Sequence, residues 1–95
     1  MYCVTVEFKV RPEDSVSFLA RMVRQAADSL SNEPGCHIFD VWTSAERPHS
    51  VFLYEIYNDL AAFEDHVASD HFKSFDTDVA PWVLEKSATT WEQKR

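Results

Sequence analysis

The chain has 95 residues, of which 45% are hydrophobic and 14% aromatic, so it can build one domain with a substantial core. Its net charge of −7 argues against partners such as nucleic acid or an anionic membrane, and no apolar run approaches the roughly 20 residues that span a bilayer. The two cysteines, Cys3 and Cys36, have no Cys-x-x-Cys spacing. Free thiols in a reducing compartment are expected, and with them a cytoplasmic protein.

The first half of the chain predicts a strand, a helix and two further strands. Apolar residues at every second position predict the first strand over residues 2–10. Pro12 is suited to the first turn of a helix, which is expected to run to about Leu30. Pro34 and Gly35 end that helix, and strands are expected over residues 36–43 and 51–57, joined by a connection over 44–50. The helix should bury the apolar residues that recur at helical spacing, namely Val16, Leu19, Met22, Val23, Ala26 and Leu30.

The second half predicts two helices and a last strand. Asp59 is a suitable N-cap for a helix, a short helix should follow over residues 69–82, and a strand over 83–93. The resulting β-α-β-β-α-β order predicts an α+β fold of the ferredoxin-like kind, in which an antiparallel four-stranded sheet carries its helices on one face. We expect a single domain over residues 1–95.

The third predicted strand is apolar on both of its faces. Phe52, Tyr54 and Ile56 alternate with Val51, Leu53 and Tyr57. Because helices would cover only one face of the sheet, the other face needs a partner. A homodimer formed sheet to sheet, with twofold symmetry, is the simplest arrangement.

Histidines in the second half of the chain are the main candidates for chemistry. Phe63, His66 and Val67 fall at i, i+3 and i+4, which turns His66 towards the sheet. An imidazole in an aromatic pocket suits proton abstraction from an acidic organic substrate, although a core histidine held by one hydrogen bond fits the pattern equally well. Other side chains expected near this region are Asp40, Trp42, Tyr54, Glu55, His71, Phe72 and Phe75.

Metal and nucleotide sites are poorly supported by the sequence. His66 and His71 are five residues apart, a poor helical chelate, and Cys36, His37 and His49 lack ligand spacing. The single glycine, Gly35, excludes a P-loop, a dinucleotide fingerprint and a GxSxG elbow. We therefore expect no metal and no cofactor.

Two segments, "NEPGCHIFDV" and "FLYEIYNDLAAFEDHVASDHFKSF", resemble the antibiotic biosynthesis monooxygenase (ABM) family of dimeric α+β barrels. That family typically shows Glu-Pro-Gly before the second strand, Tyr-Glu in the third, a histidine in the following helix and then His-Phe. The resemblance covers nearly the whole chain. It implies a homodimer and, most closely, a quinol monooxygenase-like activity that needs no cofactor, in which the deprotonated substrate reacts directly with O2.

Carried over by position, the resemblance implies two groups of site residues. The catalytic candidates are His66, Tyr54, Glu55 and His71. The substrate-binding candidates are Asp40, Phe63, Phe72, Phe75 and Trp42. By strand alternation Glu55 lies opposite Tyr54, so one alternative gives Glu55 to the dimer interface instead.

The chain departs from the family pattern in two places. Tyr57 stands where many of the oxygenases have tryptophan. The absence of an asparagine in the first strand, with His66 and Asp76 at the matching helix positions, argues against haem degradation.

Two other functions remain open from the sequence. One is an isomerase of a small, phosphorylated hydroxy-ketone, like the family member that processes phosphorylated autoinducer-2. Such a reaction needs a cation for the phosphate, and the available ones are Arg11, Arg47, Lys73 and Lys86. The other is a non-catalytic dimeric ligand-binding module whose histidines are structural.

Overall fold

The computed structural model describes residues 1–95 and confirms the predicted order of strands and helices. The elements are β1 (Tyr2–Val10), α1 (Ser15–Asn32), β2 (Cys36–Ser44), β3 (Arg47–Tyr57), α2 (Leu60–Ala68), α3 (Asp70–Val79) and β4 (Val83–Glu92). Single 3₁₀ turns precede α1 and β4, at Pro12–Asp14 and Ala80–Trp82. None of the helices combines the length and apolar character needed to cross a membrane.

The four strands form one antiparallel sheet in the order β2-β3-β1-β4, with the helices on one face. The predicted connection over residues 44–50 is wrong, because β2 and β3 form a hairpin whose turn is only Ala45 and Glu46. Residues 47–50 extend β3 instead. Their sequence lacks the alternation of polar and apolar residues that is typical of a half-buried strand. The reason is that this end of β3 extends beyond the core, so both of its faces contact solvent.

A core of fourteen buried hydrophobic residues lies between the sheet and the helices. β1 contributes its even-numbered residues, as its alternation predicts, and β3 its odd-numbered ones. Phe18 on α1 links the two layers, because its ring centre is 5.1 Å from that of Phe8 and 6.5 Å from that of Phe75.

The buried face of α1 differs from the predicted one. Val16, Val23 and Leu30 are exposed, by 83%, 53% and 45%, so they do not belong to the core. Their places are taken by Phe18 and by three buried polar residues, each with a partner of its own. Arg21 pairs with Asp78, Gln25 bonds His71, and Ser29 donates to the carbonyl of Gln25.

Two caps set the directions of α2 and α3. The side chain of Asp59 accepts a hydrogen bond from the Ala62 amide at 2.9 Å, which confirms the predicted N-cap. Ser69 ends α2 and caps α3, accepting from the Phe72 amide at 3.2 Å. The resulting bend places His66 in the last turn of α2 and His71 in the first turn of α3.

The sheet face opposite the helices is open and carries several large hydrophobic side chains among polar ones. Its side chains come from β1, β2, β3 and β4, and its large exposed hydrophobic residues are Ile38, Trp42, Phe52, Tyr54 and Trp91. Several large exposed hydrophobic side chains on one face are typical of an interaction site.

Gly35 makes a close approach between the start of β2 and helix α2. A Cβ added to Gly35 would lie 2.7 Å from the Cβ of Ala62, which is shorter than any ordinary contact. We expect Gly35→Ala to lower the free energy of unfolding by roughly 1–3 kcal/mol, as overpacking of a tight contact does.

Urea unfolding of a double-mutant cycle tests this contact. Ala62→Gly alone should destabilise α2 by about 1 kcal/mol, because glycine disfavours helix. In the Gly35→Ala, Ala62→Gly double variant the clash is absent, so its loss of stability should be smaller than the sum of the two single losses. Strict additivity would contradict the contact.

Candidate active site

A cavity of about 180 Å³ lies between the sheet and the three helices. Eleven of its fifteen lining residues are hydrophobic, and the side chains of Phe39, Phe63, Phe72 and Phe75 give it aromatic walls. The polar lining residues are Gln25, Glu55, His66 and Lys86. An apolar cavity with a few convergent polar groups is the usual form of a small-molecule site.

His66 is held in one orientation by Glu33. The residue is 3% exposed, and its Nδ1 lies 2.9 Å from Oε2 and 3.1 Å from Oε1 of Glu33. Because a carboxylate only accepts, Nδ1 carries the hydrogen, and Nε2 is the ring nitrogen left for the cavity. Burial lowers the pKa of His66 below its usual value, against the opposing effect of Glu33. His66 is therefore a neutral imidazole with a free acceptor, as a general base requires.

His71 lies on the other side of Glu33. Its Nε2 is 2.7 Å from Oε2 of Glu33, and its Nδ1 is 3.0 Å from Nε2 of Gln25. It lines a polar groove beside the Glu33–Gly35 segment, not the cavity. The structure thus places this predicted catalytic residue behind the cavity wall, where it can act only through Glu33 or Gln25.

Glu55 is buried on the helix-covered face of β3. It is 3% exposed and accepts a hydrogen bond from Tyr57 Oη at 2.6 Å. Burial raises the pKa of Glu55 to about 7, although the bond from Tyr57 and the charge of Lys86 oppose the rise. Burial, with Glu55 beside it, also raises the pKa of Tyr57. The alternative that gave Glu55 to the dimer interface is wrong, because Glu55 faces the cavity.

Five of the nine predicted site residues line the cavity: Glu55, Phe63, His66, Phe72 and Phe75. Asp40, Trp42 and Tyr54 do not, because strand alternation turns them to the open face of the sheet. There Asp40 pairs with Tyr54, and Trp42 pairs with Phe52. The expectation that these three share a site with His66 is therefore not met.

Sequence reasoning missed Glu33 and Gln25 as site residues. Glu33 was visible as the first residue of Glu-Pro-Gly, directly after α1, where its amide donates to the Ser29 carbonyl. Gln25 is a polar residue within the buried stripe of α1, which is the only signal that it offers.

Lys86 is the one cation that lines the cavity. Its Nζ is 5.5 Å from the ring centre of Phe8 and 5.7 Å from that of Phe72. No group of three or more His, Cys, Asp or Glu side chains is arranged to hold a metal ion.

The pKa of Glu55 predicts how stability depends on pH. Between about pH 4.5 and 7 the folded protein binds more protons at Glu55 than the unfolded chain does, so stability falls as the pH rises. One pH unit changes the free energy of unfolding by about 1.4 kcal/mol for one such group. Across this window, the free energy of unfolding of wild type should therefore fall by about 3 kcal/mol more than that of Glu55→Gln. Urea unfolding at a series of pH values measures the difference. The exposed Glu64→Gln is the control, and parallel curves for wild type and Glu55→Gln would contradict the prediction.

Comparison with known proteins agrees with this architecture. The family model described as "Antibiotic biosynthesis monooxygenase" matches residues 1–77. A candidate antibiotic biosynthesis monooxygenase from Nitrosomonas europaea is 25% identical, with a TM-score of 0.93 over 100% of both chains. One from Caulobacter crescentus is 22% identical, with a TM-score of 0.93 over 99% of this chain and 90% of that one. No curated protein matches the sequence. The chain belongs to the antibiotic biosynthesis monooxygenase family.

Proposed function

We propose that this protein is a cofactor-independent monooxygenase that acts on a small quinol or aromatic phenol in the cavity. The observation that carries the proposal is the Glu33–His66 pair. It presents a neutral imidazole nitrogen to a cavity whose walls are mainly apolar and aromatic. Membership of the family supports the reaction class.

The reaction begins with proton transfer to Nε2 of His66 from a substrate hydroxyl or from an acidic carbon conjugated with it. The electron-rich carbon of the resulting anion then gives electrons to O2, forming a C–O bond and a peroxide, which takes the proton back from His66. Loss of the remaining hydrogen from that carbon, with cleavage of the O–O bond, gives a carbonyl group and water. The substrate supplies all the electrons, so the reaction as written needs no external reductant.

The cavity walls favour this chemistry in two ways. Phe63, Phe72 and Phe75 offer ring contacts for an aromatic substrate. With a pKa of about 7, Glu55 is partly protonated at neutral pH and can donate a hydrogen bond to a developing phenolate. Both effects are strongest where water is excluded.

A second candidate function is supported by Lys86. Its ammonium group is the only cation at the cavity and could pair with the phosphate or carboxylate of a small hydroxy-ketone. His66 and Glu55 would then move protons between adjacent carbons, which gives an isomerase. The other cations considered from the sequence are less suitable, since Arg11 and Arg47 form surface ion pairs.

We also propose that the open sheet face forms a homodimer. Its aromatic residues Trp42, Phe52, Tyr54 and Trp91 are each at least 37% exposed. Twofold pairing of this face would bury them against their own copies.

O2 uptake with a panel of hydroquinones and anthrone-like phenols tests the oxygenase. We expect His66→Ala to reduce the rate on the order of 10²–10⁴-fold, the usual effect of losing a general base. His49→Ala is the matched control, because His49 is exposed on β3 and does not line the cavity. If wild type consumes no O2 with any of these compounds, the oxygenase is excluded. Turnover of an anionic hydroxy-ketone without O2 would establish the isomerase.

Sedimentation velocity tests the dimer. We expect wild type to sediment as a dimer and Phe52→Asp as a monomer, because a carboxylate would be buried without a partner at the interface. Val16→Asp is the matched control, since Val16 is 83% exposed on α1, away from the open face. A dimer that persists in Phe52→Asp would show that another surface is used.

A further inference from the structure

The cavity has a closed floor and an open mouth. Glu55 and His66 line it and are each only 3% exposed, so their polar groups lie at the floor. Three other lining residues are exposed, namely Val67 on α2 and Lys86 and Ala88 on β4. These residues mark the mouth, which therefore opens between α2 and the edge strand β4.

The alternation of β4 places Lys86 at this mouth. Lys86 pairs with Phe8 of β1, so its side chain lies on the helix-covered side of the sheet, and Ala88 follows on the same side. The ammonium group of Lys86 contacts the rings of Phe8 and Phe72 but forms no ion pair. The carboxylate of the adjacent Glu85 pairs with Lys9 instead. Lys86 thus presents an unpaired positive charge at the entrance of an apolar cavity.

Phe72 connects the mouth to the floor. Its ring centre is 5.1 Å from that of His66 and 5.7 Å from Nζ of Lys86. An aromatic ring packed on Phe72 therefore has the imidazole and the ammonium group within its reach. The volume of about 180 Å³ suits one such ring, because an apolar cavity of about 150 Å³ holds a benzene molecule.

The positions of the charges favour an anionic group at the mouth and a neutral group at the floor. An anion buried at the floor would lose its hydration, whereas at the mouth it keeps contact with water and meets the only cation of the lining, Lys86. The only acid of the lining, Glu55, lies at the floor. Burial raises the pKa of Glu55 to about 7, which weakens its repulsion of an anion at neutral pH.

We infer that the substrate is a hydroxylated aromatic acid with a single ring, and that Lys86 is the specificity-determining residue. The carboxylate pairs with Lys86 at the mouth, the ring packs on Phe72, and the hydroxyl group donates to Nε2 of His66 at the floor. The inference rests on the proposed function in taking this cavity as the substrate site, and it narrows the phenol to an anionic one.

Binding of matched ligands without turnover tests the inference. Under anaerobic conditions, calorimetry would compare 4-hydroxybenzoate with 4-hydroxybenzamide, which has nearly the same shape but no charge, and the two 3-hydroxy isomers likewise. Wild type should bind the better acid roughly fivefold to tenfold more tightly than its amide, between the effects of an exposed ion pair and of a charged hydrogen bond. Lys86→Met keeps the length of the side chain without its charge and should lose this preference.

Lys73→Met is the matched control. Lys73 is exposed on α3, directly after Phe72, but does not line the cavity, so this variant loses the same charge and should keep the preference for the acid. Lys86→Arg retains the charge and should keep the preference as well. In wild type the preference should shrink as the salt concentration rises, because a pair at the mouth is screened.

Three results would overturn the inference: equal binding of acid and amide by wild type, no binding of either acid, or an undiminished preference in Lys86→Met. O2 uptake with neutral hydroquinones would still support the oxygenase in each of these cases. Conversely, a preference for the acid that depends on Lys86, without O2 uptake on any phenol, would support the inference while excluding the oxygenase.

Nuclear Overhauser effects between 4-hydroxybenzoate and the protein test the orientation of the ligand. The ring protons beside the carboxylate should lie near the methylene groups of Lys86, and those beside the hydroxyl near the ring of His66. The opposite set of contacts would overturn the inference, because the anion would then lie at the floor.

Discussion

The arrangement of the site depends on one carboxylate. Glu33 is only 13% exposed, and it accepts from His66 on α2 while lying against His71 on α3. A largely buried carboxylate needs a hydrogen-bond donor, and Nδ1 of His66 provides one, while Nε2 of His71 lies 2.7 Å from the same oxygen. Because Glu33 directly follows α1, this contact joins the ends of three helices. It also decides which ring nitrogen of His66 is free.

The backbone around Glu33 makes that contact possible. Glu33 has an extended conformation (φ −113°, ψ 103°) that ends α1, and Pro34 cannot extend the helix. Gly35 then lets α2 approach so closely that a Cβ would clash with Ala62. The backbone of this turn is further tied to α2 by the hydrogen bond from the Asn58 amide to the Gly35 carbonyl. The Glu-Pro-Gly segment thus forms the turn after α1 and also supplies the carboxylate that orients His66.

The sequence predicted those features that depend on local periodicity. β1 alternates because one face is buried, and His66 was found because it lies on the apolar stripe of α2. Features that depend on distant partners were not predictable. Gln25 and Ser29 look like surface residues of α1 until His71, 46 residues from Gln25, is brought against the helix. Glu33 and His66 are 33 residues apart, and only tertiary packing shows that they are one unit.

Adjacent residues of β3 serve opposite surfaces, so one strand contributes to the proposed dimer and to the proposed chemistry without either requiring the other. Tyr54 faces the open side of the sheet, whereas Glu55 faces the cavity. The raised pKa of Glu55 has burial as its main cause, and Glu55 is already 3% exposed in the single chain, whose other sheet face is open. In the proposed dimer a second copy covers the open side. Pairing of the sheets would therefore not be needed for the burial of Glu55, which the covering helices already provide.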